Sequence, residues 1–260
     1  MKLGGASIVD FGFGGPAKWA FHDNILSCDY KKHQGITFQN LGKKVTIGFM
    51  NKNLDQLREK FAKYPGQIVV VSGPSAGAGK GKVLDEMLEF ADKVWLSVST
   101  TTREPRPGEV HHHKYNFLTR EQFDALEAEG GFLEANGLTE GARYGTPIGP
   151  ILEHLEAGDT VILEIEIHGG TFVHDLAPDG LYIFIKPTHG SLEDDIAELR
   201  HRIEGRGTND AASIERRLEQ AASELEQARE LGFYTWVVNE KGKSEDAARE
   251  IYELIQKNRS

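Results

Sequence analysis

The sequence has little of what would place a protein outside the cell or in a membrane. Cysteine occurs once, at Cys28, so no internal disulfide can form, which fits a reducing compartment. No stretch approaches the roughly 18 consecutive apolar residues of a membrane span. The opening MKLGGASIVDFGFGG has no apolar core of signal-peptide type. These absences lead us to expect a cytoplasmic protein with no membrane partner. Positive charge is also scarce: 30 Lys/Arg stand against 40 Asp/Glu, a net charge of −10. The balance is uneven, with ten Lys/Arg and five Asp/Glu in residues 1–65 but twenty and thirty-five in residues 66–260. An acidic body argues against nonspecific nucleic-acid binding, which needs a basic surface. If this body handles phosphates, it must concentrate its few arginines.

What is present suits a globular enzyme. The chain is 39% hydrophobic and 27% charged, enough for a sizeable core. Residues 66–260 alternate strand and helix patterns. QIVVVSGP, VWLSVST, TVILEIEI, LYIFIKP and YTWVVN read as strands. KVLDEMLEFA and REQFDALEAEGG read as helices, the second closed by Gly130-Gly131, and further helices are expected at about 191–204, 211–231 and 244–258. In TPIGPILEHLEAG, Thr146-Pro147 opens a helix, and Pro150 confines its regular part to the residues after it. The apolar run YIFI suits a strand covered on both faces. The expectation is a three-layer α/β fold with a mostly parallel sheet, whose ligands bind beyond the carboxyl ends of the strands. Residues 1–65 differ: GITFQNL and KKVTIGF alternate like a hairpin about Leu41-Gly42, and NLDQLREKFAKY looks helical. We read them as an N-terminal extension whose residues carry no recognisable chemistry.

The stretch GPSAGAGKGK, residues 73–82, follows a strand and precedes a helix. That arrangement points backbone N–H groups and a helix dipole at an anion. Gly77, Gly79 and Gly81 can wrap a phosphate, and Lys80 can reach the terminal phosphates. Two features depart from the usual G-x-x-x-x-G-K-[ST] pattern. Five residues separate Gly73 from Gly79, and no hydroxyl follows Lys80. Lys82 supplies charge there, but an ammonium cannot coordinate a metal.

A second polar segment, SVSTTTREPRPGEVHHHKYNF at residues 97–117, presents Arg103 and Arg106 on a proline-stiffened path. Arginine forks match phosphate oxygens. Three histidines in a loop, His111–His113, invite a metal reading. We read them instead as part of a variable loop.

SGPSAGAGK, SVSTTTREPRPGEV…YNF, FLEA, RYGTP, LEIEIHGG and RIEGRGT…ERRL occur in this order. Together they resemble the guanylate kinase family over residues 66–260. The resemblance implies a P-loop kinase fold with a GMP-binding region at about 98–160 and a lid at about 200–217. It implies ATP contacts at Gly73, Ser75, Gly77, Gly79, Lys80, Gly81, Lys82 and Asn239. Arg103, Arg106, Tyr115 and Tyr144 would hold the phosphate of GMP. Ser99, Glu134 and Thr146 would read guanine, with Glu109 beside them. Glu164 and Glu166 match acidic positions near substrate and Mg²⁺. Lys80, Arg202, Arg206 and Arg217 would stabilise the transferred phosphoryl group. The expected reaction is ATP-dependent, Mg²⁺-assisted phosphorylation of GMP or dGMP. Departures keep two alternatives open. The altered loop would suit a catalytically impaired binding module. Ala135 after Glu134, with one extra residue before Tyr144, would suit a shifted base preference. His168 stands where glutamine is common.

Overall fold

The computed structural model describes residues 20–22, 25–27, 35–40, 43–48, 54–75, 77–105, 115–138, 141–205 and 211–259; for 20–48 and 136–138 the backbone alone is described. A short ladder of β1 (Ala20–His22) and β2 (Ile25–Ser27) comes first. The hairpin of β3 (Gly35–Asn40) and β4 (Lys43–Gly48) and helix α1 (Leu54–Lys63) follow. The chain then enters a sheet through β5 (Gln67–Ser72), α2 (Lys80–Leu88) and β6 (Val94–Leu96). It crosses to a second sheet for β7 (Ser99–Thr101), β8 (Tyr115–Phe117), α3 (Arg120–Ala128), β9 (Phe132–Leu138) and β10 (Tyr144–Pro147). It returns through α4 (Ile148–Glu156), β11 (Thr160–Glu164), α5 (Ile167–Leu176) and β12 (Leu181–Lys186). Helices α6 (Leu192–Glu204) and α7 (Ala211–Leu231), strand β13 (Thr235–Val238) and α8 (Ser244–Arg259) complete it.

The first sheet is parallel, in the order β13-β12-β5-β11-β6. All six residues of β12 are buried, as a strand covered on both faces requires. Alternation sends Ile68 and Val70 of β5 into one core with Ile151, Phe172 and Leu218. Val69 and Val71 enter the other, with Leu84, Met87 and Ile251. Helices therefore cover both faces, giving the expected three layers. The second sheet runs β3-β4-β9-β10-β7-β8. The expected hairpin forms, and β4 pairs with β9 from Val45↔Leu138 to Gly48↔Ala135.

Three local readings need correction. VWLSVST is two strands in two sheets: Leu96 pairs with Ile162, the chain leaves, and Ser99 pairs with Tyr115. TVILEIEI ends as a strand at Glu164, and Glu166 caps helix α5 rather than alternating along a strand. Gly169-Gly170 masked that helix, because glycine weakens helix interiors. Packing requires Gly170, since a Cβ there would lie 2.1 Å from the Tyr234 hydroxyl oxygen. Finally, α4 already starts at Ile148, with Pro147 as its cap, so Pro150 lies inside the first turn. Proline costs no hydrogen bond there.

Candidate active site

The loop at 73–79 leaves the carboxyl end of β5, which lies between β12 and β11. This is where open α/β sheets bind ligands. Gly79 caps α2 with φ 77°, in the left-handed region. A Cβ there would also lie 2.6 Å from Asn239 Nδ2. Asn239 is itself fixed: its side-chain amide donates to Ala78 O at 2.8 Å, and its N–H to Lys186 O at 2.8 Å.

The Lys80 ammonium turns back into the loop. It donates to Gly73 O at 2.9 Å and Pro74 O at 3.0 Å. Burial lowers its pKa, and the charges of Glu164, Glu224 and Glu166 oppose that shift. Lysine and both expected acidic residues therefore share one region. Glu166 shows the reverse: burial and Glu224 raise its pKa, while Lys80 pulls it down. Burial likewise lowers the pKa of His168, against the charge of Glu224.

Arg202, on α6, braces this loop. It donates to Glu198 Oε1 at 2.6 Å, Asn239 O at 2.8 Å and Gly77 O at 3.4 Å. Lys82 turns outward and pairs with Glu86 at 3.3 Å. Arg217 is half-buried on α7. Arg106, Glu109, Arg206 and the His111–His113 run lie outside the described residues.

Two loop contacts escaped the sequence reading. Ser75 N–H donates to Glu224 Oε2 at 2.7 Å, and the Ser75 hydroxyl donates to Glu224 Oε1. Gln220 Nε2 donates to Ser75 Oγ and to Glu224 Oε1, both at 3.0 Å. A signal was present in the sequence. Glu224 lies on the buried face of α7 with Ala221, Leu225 and Ala228, where a carboxylate needs a partner.

The second polar centre is built on β9 and β10. Glu134 and Thr146 are cross-strand partners, and the Thr146 hydroxyl donates to Glu134 Oε1 at 2.6 Å. Burial raises the Glu134 pKa to about 7; the Thr146 hydrogen bond opposes the shift and Glu166 adds to it. The backbone of Gly169 passes so close that a Cβ would lie 3.7 Å from Glu134 Cδ. Nearby on the same sheet, Ser99 pairs with Tyr115. The Tyr115 and Tyr144 rings meet edge-on at 6.1 Å. The Arg103 guanidinium lies 5.5 Å from the Tyr115 ring centre and donates to Glu104 O at 2.7 Å. Arg143, inside the RYGTP motif, is structural. It donates to Asp124 at 2.6 Å and to Glu127, and it covers the Phe123 ring at 4.5 Å, tying β10 to α3.

Among the described residues, no group of three or more His, Cys, Asp or Glu is placed to hold a metal, and no helix is long and apolar enough to cross a membrane. The guanylate kinase family model matches residues 65–258. The chain belongs to the guanylate kinase family. It is 42% identical over 190 residues to the guanylate kinase of Clostridioides difficile, covering 73% of this chain and 87% of that protein. To the guanylate kinase of Bifidobacterium longum it is 42% identical over 198 residues, covering 75% and 95%. The crystal structure of guanylate kinase from Anaplasma phagocytophilum aligns with TM-score 0.57 and 28% identity, covering 76% of this chain and 88% of that one. The guanylate kinase match begins just before β5, so the β3–β4 hairpin that extends the Glu134 sheet lies outside it.

Proposed function

We propose that the protein transfers the γ-phosphoryl group of ATP to GMP or dGMP, giving ADP and GDP or dGDP. The observation that carries this reading is the pairing of two unlike polar centres. A lysine lies among carboxylates in a strand-to-helix loop, and a protonatable carboxylate faces a hydroxyl beside it. The first suits ATP phosphates. The second suits guanine, whose N1–H and exocyclic amine can both be accepted by Glu134. Adenine presents an acceptor at N1 and would leave Glu134 unsatisfied.

The loop Gly73–Lys80, with Ser75, Gly77, Gly79 and Gly81, would hold the ATP phosphates. Asn239 lies on the adenine side, and Lys82 adds exposed charge near the loop. Arg103 and Arg106, with Tyr115 and Tyr144, would grip the phosphate of GMP. Ser99, Glu109 and Thr146 would complete the base pocket, with Glu164 at its boundary with ATP. Lys80, Arg202, Arg206 and Arg217 would neutralise charge spread over the transferred group. Catalysis then comes from positioning and electrostatics, without a covalent intermediate. Mg²⁺ fits this site as a guest of the ATP phosphates: Glu166 offers it a carboxylate, and it would neutralise phosphate charge. Residues 66–260 would form the kinase unit, with residues 1–65 as an extension, and the single cysteine fits a cytoplasmic location.

A coupled ADP-release assay with ATP, Mg²⁺ and each of GMP, dGMP, AMP, CMP and UMP tests the reading. Turnover with the guanine nucleotides is expected. A folded protein that binds GMP without turnover would instead be a binding module. Turnover with another base would show a shifted pocket around Glu134 and Ala135.

A further inference from the structure

The carboxylate of Glu224 holds the donors that a phosphate-binding loop normally offers to phosphate. Ser75 contributes both its N–H, at 2.7 Å, and its hydroxyl. Gln220 donates to each partner at 3.0 Å, so the contact is a closed three-residue network. Glu224 is only 7% exposed, whereas Ser75 lies at the surface of the loop. The charge of Glu224 also acts on Lys80, Glu166 and His168, which places it inside the same electrostatic site. Two anions cannot share one set of donors, because like charges at close range repel.

We propose that Glu224 is an internal phosphate mimic: it latches Ser75 of the loop to helix α7, and the phosphates of ATP must displace it to bind. The proposal rests on reading residues 73–82 as the ATP site. Arg217 lies seven residues before Glu224, two turns away on the same helix face. Displacing the latch would therefore couple ATP binding to the helix that carries a proposed lid arginine, since a ligand shifts an equilibrium only by preferring one state.

Isothermal titration of the full chain tests this, using Mg²⁺ and an ATP analogue with nitrogen bridging the β and γ phosphates. Wild type, Glu224→Ala and Glu224→Gln are compared, with GMP as a second ligand. A latch closed nine-tenths of the time weakens binding about tenfold, so Glu224→Ala should bind the analogue about tenfold tighter. Glu224→Gln should bind it about threefold tighter, because the contact remains while the charge is gone. GMP affinity should move by less than about twofold in both. A purely structural role would leave analogue affinity unchanged or weaker in both variants, and that result overturns the proposal. Should Glu224→Ala not fold, the near-isosteric Glu224→Gln decides alone. Analogue binding to Glu224→Ala but not to wild type would be the strongest support. Binding to none of the three would overturn the ATP reading of the loop and the latch with it.

Discussion

Lys80 and Glu134 are both ionisable groups set within the protein, one after β5 and one on β9, yet their surroundings treat them differently. Around Lys80 the chain supplies the opposite charge itself, from Glu164, Glu224 and Glu166, and two carbonyls accept from the ammonium. Around Glu134 it supplies one hydroxyl and a further negative charge, Glu166. The Lys80 cation thus already faces carboxylates before substrate arrives, while the proposed base pocket is left short of hydrogen-bond donors. A lysine already held by carboxylates can exchange them for phosphates. A carboxylate with few donors suits a ligand that brings two N–H groups. The difference matches a donor that is all anion and an acceptor recognised by its base.

Lys80→Ala puts this contrast under the greatest strain. Loss of the cation should lower kcat by about a thousandfold or more, as for removal of a preorganised electrostatic donor. KM for GMP should stay within about twofold, because the base pocket is built on the other sheet. Steady-state kinetics at saturating GMP measure both. A parallel loss of GMP binding would show that the two centres are not separable.

Glu134→Gln strikes the other side. Gln offers one acceptor and one donor where guanine needs two acceptors, so kcat/KM for GMP should fall about a hundredfold or more. Stability should move the opposite way at pH 8. The folded pKa of Glu134 is raised from 4.5 to about 7, so its proton is bound more tightly in the folded state. Stability from that proton is fully present below pH 4.5 and is lost as pH rises to 7, leaving a cost of about 3 kcal/mol at pH 8. Gln should recover it, which urea unfolding would show. A variant both inactive and less stable at pH 8 would mean that Glu134 is already paired by a cation.

These two centres were unequally legible in the sequence. The loop is local: strand, glycines, lysine and helix follow one another, and Gly79 and Lys80 stand where the spacing put them. The proposed base pocket depends on pairings across strands. Glu134 and Thr146 could be named from their motifs, but their hydrogen bond needs the β9–β10 register. Glu166 was misplaced on a strand because Glu164, Ile165, Glu166 and Ile167 alternate in sequence while the chain turns into a helix. The break in VWLSVST was hidden because one run of β-formers serves two sheets. The buried-face position of Glu224 signalled that it needs a partner, but the Ser75–Glu224 contact spans 149 residues, so no local pattern could name Ser75. The hairpin at residues 35–48 was readable from alternation, but its place beside β9 was not.

Arg143→Met tests the separation of the two centres from the structural side. Its guanidinium is buried against Asp124 and Glu127, and its removal leaves a half-buried carboxylate without a cation. The cost should be about 3 kcal/mol, read from urea unfolding. GMP affinity should weaken, because Arg143 anchors the strand that carries Tyr144 and Thr146. Affinity for an ATP analogue should not change. Equal losses for both ligands would mean that the acceptor sheet and the donor loop move as one unit.

The smallest effect lies in pH. Accepting two guanine N–H groups requires ionised Glu134, whose pKa in the ligand-free protein is about 7. Above that value GMP meets a ready carboxylate; below it, binding must first expel a proton. GMP affinity should therefore fall as pH drops, by about tenfold between pH 8 and pH 6. The GMP phosphate titrates near pH 6 and contributes its own slope. Glu134→Gln separates the two, since it keeps the phosphate's contribution and loses the carboxylate's. Calorimetry in buffers of different ionisation enthalpy gives a second readout. Near pH 7, wild type should release close to half a proton on binding GMP beyond what Glu134→Gln releases. If the two proteins release the same number, Glu134 is already ionised before GMP arrives, and the contrast between a lysine held by carboxylates and a carboxylate short of donors fails.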